Sequence, residues 1–153
     1  MGGGGLISGT YLATCLFSQT AKVIAAEPSE ANDAFQYCHS GKAHQFKNIP
    51  KTLADNARTL RILERTFAYI KKLDHFYQIK EQEIIYWTQW LRHLLKVVVK
   101  PTLALGMAAA YQWIKEGNEN KKFPFFFQVG MWIQKLTHKP GKKTFISNVI
   151  FMT

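Results

Sequence analysis

Apolar positions recur along this chain at helical spacing, and polar clusters divide them into separate stretches. Leu6 to Ala26 is apolar with a single charge, Lys22. Its polar members, among them Ser8, Thr10, Thr14 and Ser18, would each need a partner in lipid. The stretch is still long enough to predict a helix anchored in or against a membrane. Gly5, Gly9 and Ala13 recur at every fourth position, a small-residue ridge on which another helix could pack closely. Glu27-Pro28-Ser29-Glu30 breaks the pattern, and Ser29 or Asp33 can cap a short helix through Phe35 and Tyr37. His39 to Pro50 is polar and holds Gly41, so it reads as a loop.

The longest periodic signal starts at Thr52. Leu53, Leu60 and Phe67 recur every seventh residue, with Leu63, Ile70 and Tyr77 as the interleaved series. Ile84, Trp87, Leu91, Leu94 and Val98 continue at the same spacing, so 52–99 predicts one long amphipathic helix or two. Lys100-Pro101 ends that run, because proline disfavours helix at the residue before it and suits the first turn of a new helix. Pro101 to Lys115 then reads as helix ending near Gly117, with Thr102, Gly106 and Ala110 as a second small-residue ridge. Beyond it Phe123, Phe125, Phe126, Phe127 and Trp132 lie among lysines, the composition of a segment at a membrane interface. No strand is expected before Phe145. The predicted fold class is all-α: an N-terminal apolar anchor helix (1–26), a polar linker with a short helix (27–50), an amphipathic helical region (51–116) and a basic, aromatic C-terminal segment (117–153).

Composition narrows the function classes. A chain of 153 residues, 47% hydrophobic, supports one domain with a real core. A mean hydropathy of -0.14 excludes a multi-span transporter. Two cysteines, Cys15 and Cys38, exclude a disulfide-dense secreted scaffold. The formal net charge of +10 favours an anionic partner. Basic residues are in excess both between the two apolar segments and after the second, which favours one membrane span over two. No basic region precedes the first apolar segment, so a cleaved leader is not expected.

Candidate chemistry is sparse. Met1-Gly2-Gly3-Gly4-Gly5 reads as an uncharged, flexible start, and a myristoylation pattern would need Ser or Thr where Leu6 stands. Neither Gly41-Lys42 nor Gly141-Lys142 has the spacing of a P-loop, and no dinucleotide fingerprint occurs. Cys38, His39 and His44 read as surface loop residues, and Glu81 and Glu83 do not share a helical face. Arg58, Arg61 and Arg65 would share one face of a helix. With Lys121, Lys122, Lys139, Lys142 and Lys143 they are the candidates for contact with anionic lipid or phosphate.

These features together predict a non-catalytic accessory subunit of a larger multi-subunit membrane complex. A respiratory-chain or ATP synthase complex of the mitochondrial inner membrane fits the composition. No enzyme activity, catalytic residue, cofactor or metal is expected, and anionic lipid is the expected partner. The alternatives are a soluble, basic RNA-binding or ribosome-associated helical protein, and a bacterial envelope protein with Leu6 to Ala26 as an atypical signal.

Overall fold

The computed structural model describes residues 1–18 and 20–118. Helices alternate with strands: α1 (Gly5–Phe17), β1 (Ile24–Pro28), α2 (Asp33–Ser40), α3 (Glu64–Ile70), β2 (His75–Ile79), α4 (Glu81–Leu95) and α5 (Pro101–Lys115). Two 3-10 turns, Ser29–Ala31 and Asp55–Ala57, lie between them.

The strands pair in parallel, from Ile24 opposite His75 to Pro28 opposite Ile79. A parallel pair needs a long crossover, and α2 and α3 supply it. Asp74 fixes the register at the strands' start: its carboxylate accepts the Val23 N–H at 2.7 Å, and its own N–H donates to the Val23 carbonyl at 3.1 Å. Side chains then alternate between the two faces. Tyr77 and Ile79, with Ile24 and Ala26, pack on a core formed by Ile84 and Leu91 of α4 and Ala104, Leu105 and Ala108 of α5. Phe76 faces the other way, into Ala34, Ile62, Ile70 and Ile7. The result is three layers, with α1, α2 and α3 on one face of the sheet and α4 and α5 on the other. Parallel strands require such cover on both faces.

The all-α expectation is therefore overturned. The apolar stretch from Leu6 to Ala26 is not one helix. Its helix stops after 13 residues, where Ser18 turns extended (φ -149°, ψ 116°) and its hydroxyl accepts the Ala21 N–H at 3.2 Å. Thirteen residues rise about 20 Å against a bilayer core of about 30 Å. None of the described helices is long and apolar enough to cross a membrane. The stripe from Leu53 to Tyr77 is not one helix either, since it runs through a 3-10 turn, α3 and β2. Leu53, Leu60 and Leu63 of that stripe are exposed, while Ala54, Ala57 and Ile62 beside them are buried.

Candidate functional site

The four glycines at the chain's start enter α1 by a specific path. Gly2 and Gly4 have φ of +64° and +80°, conformations that glycine adopts without the Cβ penalty of other residues. Both also lie against neighbours. A Cβ at Gly2 would come within 2.7 Å of the Asn56 carbonyl oxygen, and one at Gly4 would overlap the Ile70 Cδ1 atom. Thr66 holds the loop from α3, its hydroxyl donating to the Gly3 carbonyl at 2.9 Å. The Ser8 N–H donates to the Gly4 carbonyl at 3.0 Å, and the Ser8 hydroxyl to the Thr66 carbonyl at 3.4 Å.

Gly3 and Gly5 are different. A Cβ at either would meet nothing within 4 Å, and neither has a positive φ. Packing inside the chain therefore does not demand glycine there, and Gly5 costs the helix up to about 1 kcal/mol relative to alanine. A bare backbone at those positions is what close approach of a ligand requires. No side chain caps α1 at Gly4. The first-turn N–H groups have no intrahelical acceptor, and the helix end is partially positive. A glycine loop leading into such a helix end is a cradle for an oxyanion, above all a phosphate.

The second wall is the 3-10 turn Asp55–Ala57, held by the first turn of α5. The Lys100 ammonium lies 3.0 Å from one Asp55 carboxylate oxygen, and the Thr102 hydroxyl donates to the other at 3.3 Å. The Asn56 N–H donates to the Thr102 oxygen at 3.2 Å. Burial alone would raise the Asp55 pKa. The Lys100 ammonium, and after it the Thr102 hydroxyl, outweigh it and hold the carboxyl below the usual range. On the same side of the fold, the Leu53 N–H reaches Glu81 just beyond the end of β2. This places the turn and α5's start at the carboxyl end of that strand, where open α/β folds bind ligands.

Two buried carboxyls lie near the loop's start. Glu27 ends one face of β1 and accepts the Phe35 N–H at 3.0 Å, serving an orphan donor in α2's first turn. Asp33 opens α2 and accepts from the Thr59 hydroxyl at 3.5 Å. Each leaves one oxygen without a partner, Glu27 Oε1 and Asp33 Oδ1. Burial pushes Glu27 up to about 7, and burial also raises Asp33. Met1 packs in the same cluster as Ala34, so the glycine loop starts beside this pair. No group of three or more His, Cys, Asp or Glu residues gathers to hold a metal among the described residues.

The sequence-predicted positions fall elsewhere or take other roles. Gly5, Gly9 and Ala13 lie on an exposed side of α1. Thr102 binds the 3-10 turn, while Gly106 and Ala110 are half-buried on α5. Arg58 and Arg61 lie in irregular backbone and Arg65 on α3, all exposed, so no single helix face aligns them. Lys121, Lys122, Lys139, Lys142 and Lys143 lie outside the described residues. Sequence reasoning missed the glycine run itself. Its signal was position: four glycines directly before an apolar helix are a backbone anion site as readily as a flexible start.

Comparison with known proteins gives the site its context. Residues 1–123 match the family model for pyridoxal-phosphate dependent enzymes. The chain is 40% identical over 111 residues to the L-threo-3-hydroxyaspartate ammonia-lyase of Saccharomyces cerevisiae, covering 72% of this chain and 34% of that enzyme. It is 35% identical over 131 residues to the serine racemase of Schizosaccharomyces pombe, covering 85% of this chain and 40% of that one. In structure it resembles a T.th. threonine deaminase with a TM-score of 0.69 at 34% identity, over 73% of this chain and 41% of the other. The serine racemase of Dictyostelium discoideum gives a TM-score of 0.70 at 32% identity, over 80% and 39%. The chain thus spans roughly two fifths or less of the relatives it matches.

These findings overturn the expectation of a non-catalytic accessory subunit, because the relatives are enzymes and share both sequence and fold with this chain. Placement in the mitochondrial inner membrane rested on the basic composition, the lack of a disulfide framework and an anchor helix over Leu6 to Ala26; that stretch folds instead as a 13-residue helix followed by a strand. The glycine loop, the α/β layering and the matched residues lead to one statement: the chain belongs to the family of pyridoxal-phosphate dependent enzymes.

Proposed function

We propose that this chain forms the phosphate-anchoring part of a pyridoxal-phosphate enzyme acting on a hydroxy amino acid. The observation that carries the reading is the cradle of Gly3 and Gly5, which keeps bare backbone at an uncapped helix end without a packing reason inside the chain. The substrate class comes from the relatives, whose names specify serine, threonine and 3-hydroxyaspartate.

The residues present fit the phosphate end of the cofactor. Gly3, Gly5 and the first turn of α1 would receive the phosphate through backbone N–H groups, and the positive end of the helix dipole favours its charge. Thr66 and Ser8 hold the loop in that shape. Gly2 and Gly4 let it turn tightly against Asn56 and Ile70. When bound, pyridoxal phosphate supplies an electron sink for negative charge developing on the amino acid. The part of that work done by these residues is to hold and orient its phosphate.

The test compares pyridoxine 5′-phosphate with pyridoxine, both lacking the aldehyde that surface lysines would trap. Titration calorimetry on the full chain, at about 150 mM salt to screen its net positive charge, should show at least about tenfold tighter binding of the phosphate ester. That is a modest share of what several charge-assisted hydrogen bonds contribute. Gly3→Ala and Gly5→Ala should abolish this preference while leaving the urea midpoint unchanged or raised. Equal affinity of the two compounds for the natural chain would sink the reading.

A further inference from the structure

We infer that the Asp55–Lys100 ion pair is a positioning device for the glycine loop: it holds the Asn56 wall against Gly2 and so sets the loop's shape for phosphate. The inference rests on the reading of the loop as a phosphate cradle.

Asn56 has two sides. Its backbone carbonyl occupies the space that a Gly2 side chain would need, within 2.7 Å of where a Cβ would stand. Its N–H and side-chain oxygen are bound to the start of α5: the N–H to the Thr102 hydroxyl at 3.2 Å, and the oxygen to the Lys100 ammonium at 3.5 Å. Asp55 completes the grip by accepting from Lys100 and Thr102 with separate oxygens. One cation and one hydroxyl from the same helix turn thus fix two consecutive residues of the 3-10 turn. Backbone hydrogen bonding gives that turn only short rings, from the Ala57 N–H to the Ala54 carbonyl at 2.8 Å and from the Asp55 N–H to the Leu53 carbonyl at 2.9 Å.

The pair's place argues against a role in global stability. The Asp55 side chain is 43% exposed, and the Lys100 side chain lies along the protein with 14% exposed. With its carboxylate partner open to water, the pair's charge–charge attraction is screened and contributes little to folding. What this pair does constrain is local: where Asn56 sits, and through it where Gly2 can go. Lys100 is directed to Asp55 and Asn56, so its ammonium acts on the loop through them and not as a phosphate ligand.

The experiment measures the affinity of the full chain for pyridoxine 5′-phosphate, with the urea midpoint in parallel. Asp55→Ala and Lys100→Ala should each weaken binding by about fivefold, and the double variant by no more than either single one, as for residues acting as one unit. Lys100→Arg, which keeps the cation, should restore most of the affinity. Pyridoxine binding and the urea midpoint should not move. If Asp55→Ala tightens phosphate binding, Lys100 is a direct ligand that Asp55 restrains, and the positioning role is overturned. Unchanged affinity in both alanine variants overturns it as well. A natural chain that binds the ester no better than pyridoxine removes the cradle reading, and the positioning role with it.

Discussion

Gly4→Val is expected to cost the chain about 4 kcal/mol, and two independent penalties add to that figure. Gly4 sits at φ +80°, ψ 3°, where an L residue pays about 1–2 kcal/mol and a β-branched one at least the upper end of that range. Its side chain would also enter filled space. The first atom beyond Cα would overlap Ile70 Cδ1 and come within 3.2 Å of Ile62 and Thr66. Ile70 is fully buried and Ile62 nearly so, which leaves them little room to retreat. Overpacking of that kind costs about 1–3 kcal/mol. A loss near 4 kcal/mol is a large part of the stability of a small domain, so the urea midpoint should fall steeply or the fold fail outright. Gly9→Ala is the matched control. It lies in α1 with nothing within 4 Å of a new Cβ, and should gain up to about 1 kcal/mol. A Gly4→Val midpoint within experimental error of the natural chain would mean that the loop does not take this path into α1.

The loop also shows why much of this fold could not be read from the sequence. Punctuation was legible where one residue type admits one conformation. Pro101 opens α5 as its first residue, and Gly117 follows its end with φ +89°. Periodicity misled where the structure is short and non-local. β1 is five residues, buried along much of its length, so it shows no alternation of apolar and polar side chains. Ile24, Ala25 and Ala26 therefore looked like the tail of the preceding helix. Its partner β2 begins 51 residues later, and no local window contains that pairing. The seven-residue recurrence of Leu53 and Leu60 was real as a pattern but had no helix beneath it. The core there is built from Ala54 and Ala57, small residues buried in the same cluster as Ile79, Ile84 and the α5 alanines. Alanine carries almost no weight in a hydrophobic stripe. A glycine run carries none, although here it marks the candidate site, because the site is made of backbone.

The second large effect should appear as a dependence of stability on pH, centred on Glu27. Its side chain is 1% exposed, one carboxyl oxygen has no partner, and burial raises its pKa to about 7 from 4.5. Between those two values the folded chain keeps a proton that the unfolded chain has released. Stability must therefore fall as pH rises through this window and level off above about 7. A shift of about 2.5 units corresponds to about 3 kcal/mol. Asp33 shifts in the same direction, so the two carboxyls reinforce each other. The buried Met1 ammonium beside them, whose pKa burial lowers, titrates in the opposite direction. Urea midpoints from pH 5 to pH 8 should therefore show a Glu27-dependent decline superimposed on that contribution. Glu27→Gln should flatten most of it and leave the chain more stable than the natural one at pH 8. The amide oxygen can still accept the Phe35 N–H, while the buried charge is gone. The sign is the decisive feature, since salt-bridged surface carboxylates lose stability toward acid, the opposite direction. If Glu27→Gln leaves the pH dependence from pH 5 to pH 8 unchanged, Glu27 is ionised and satisfied in the folded state.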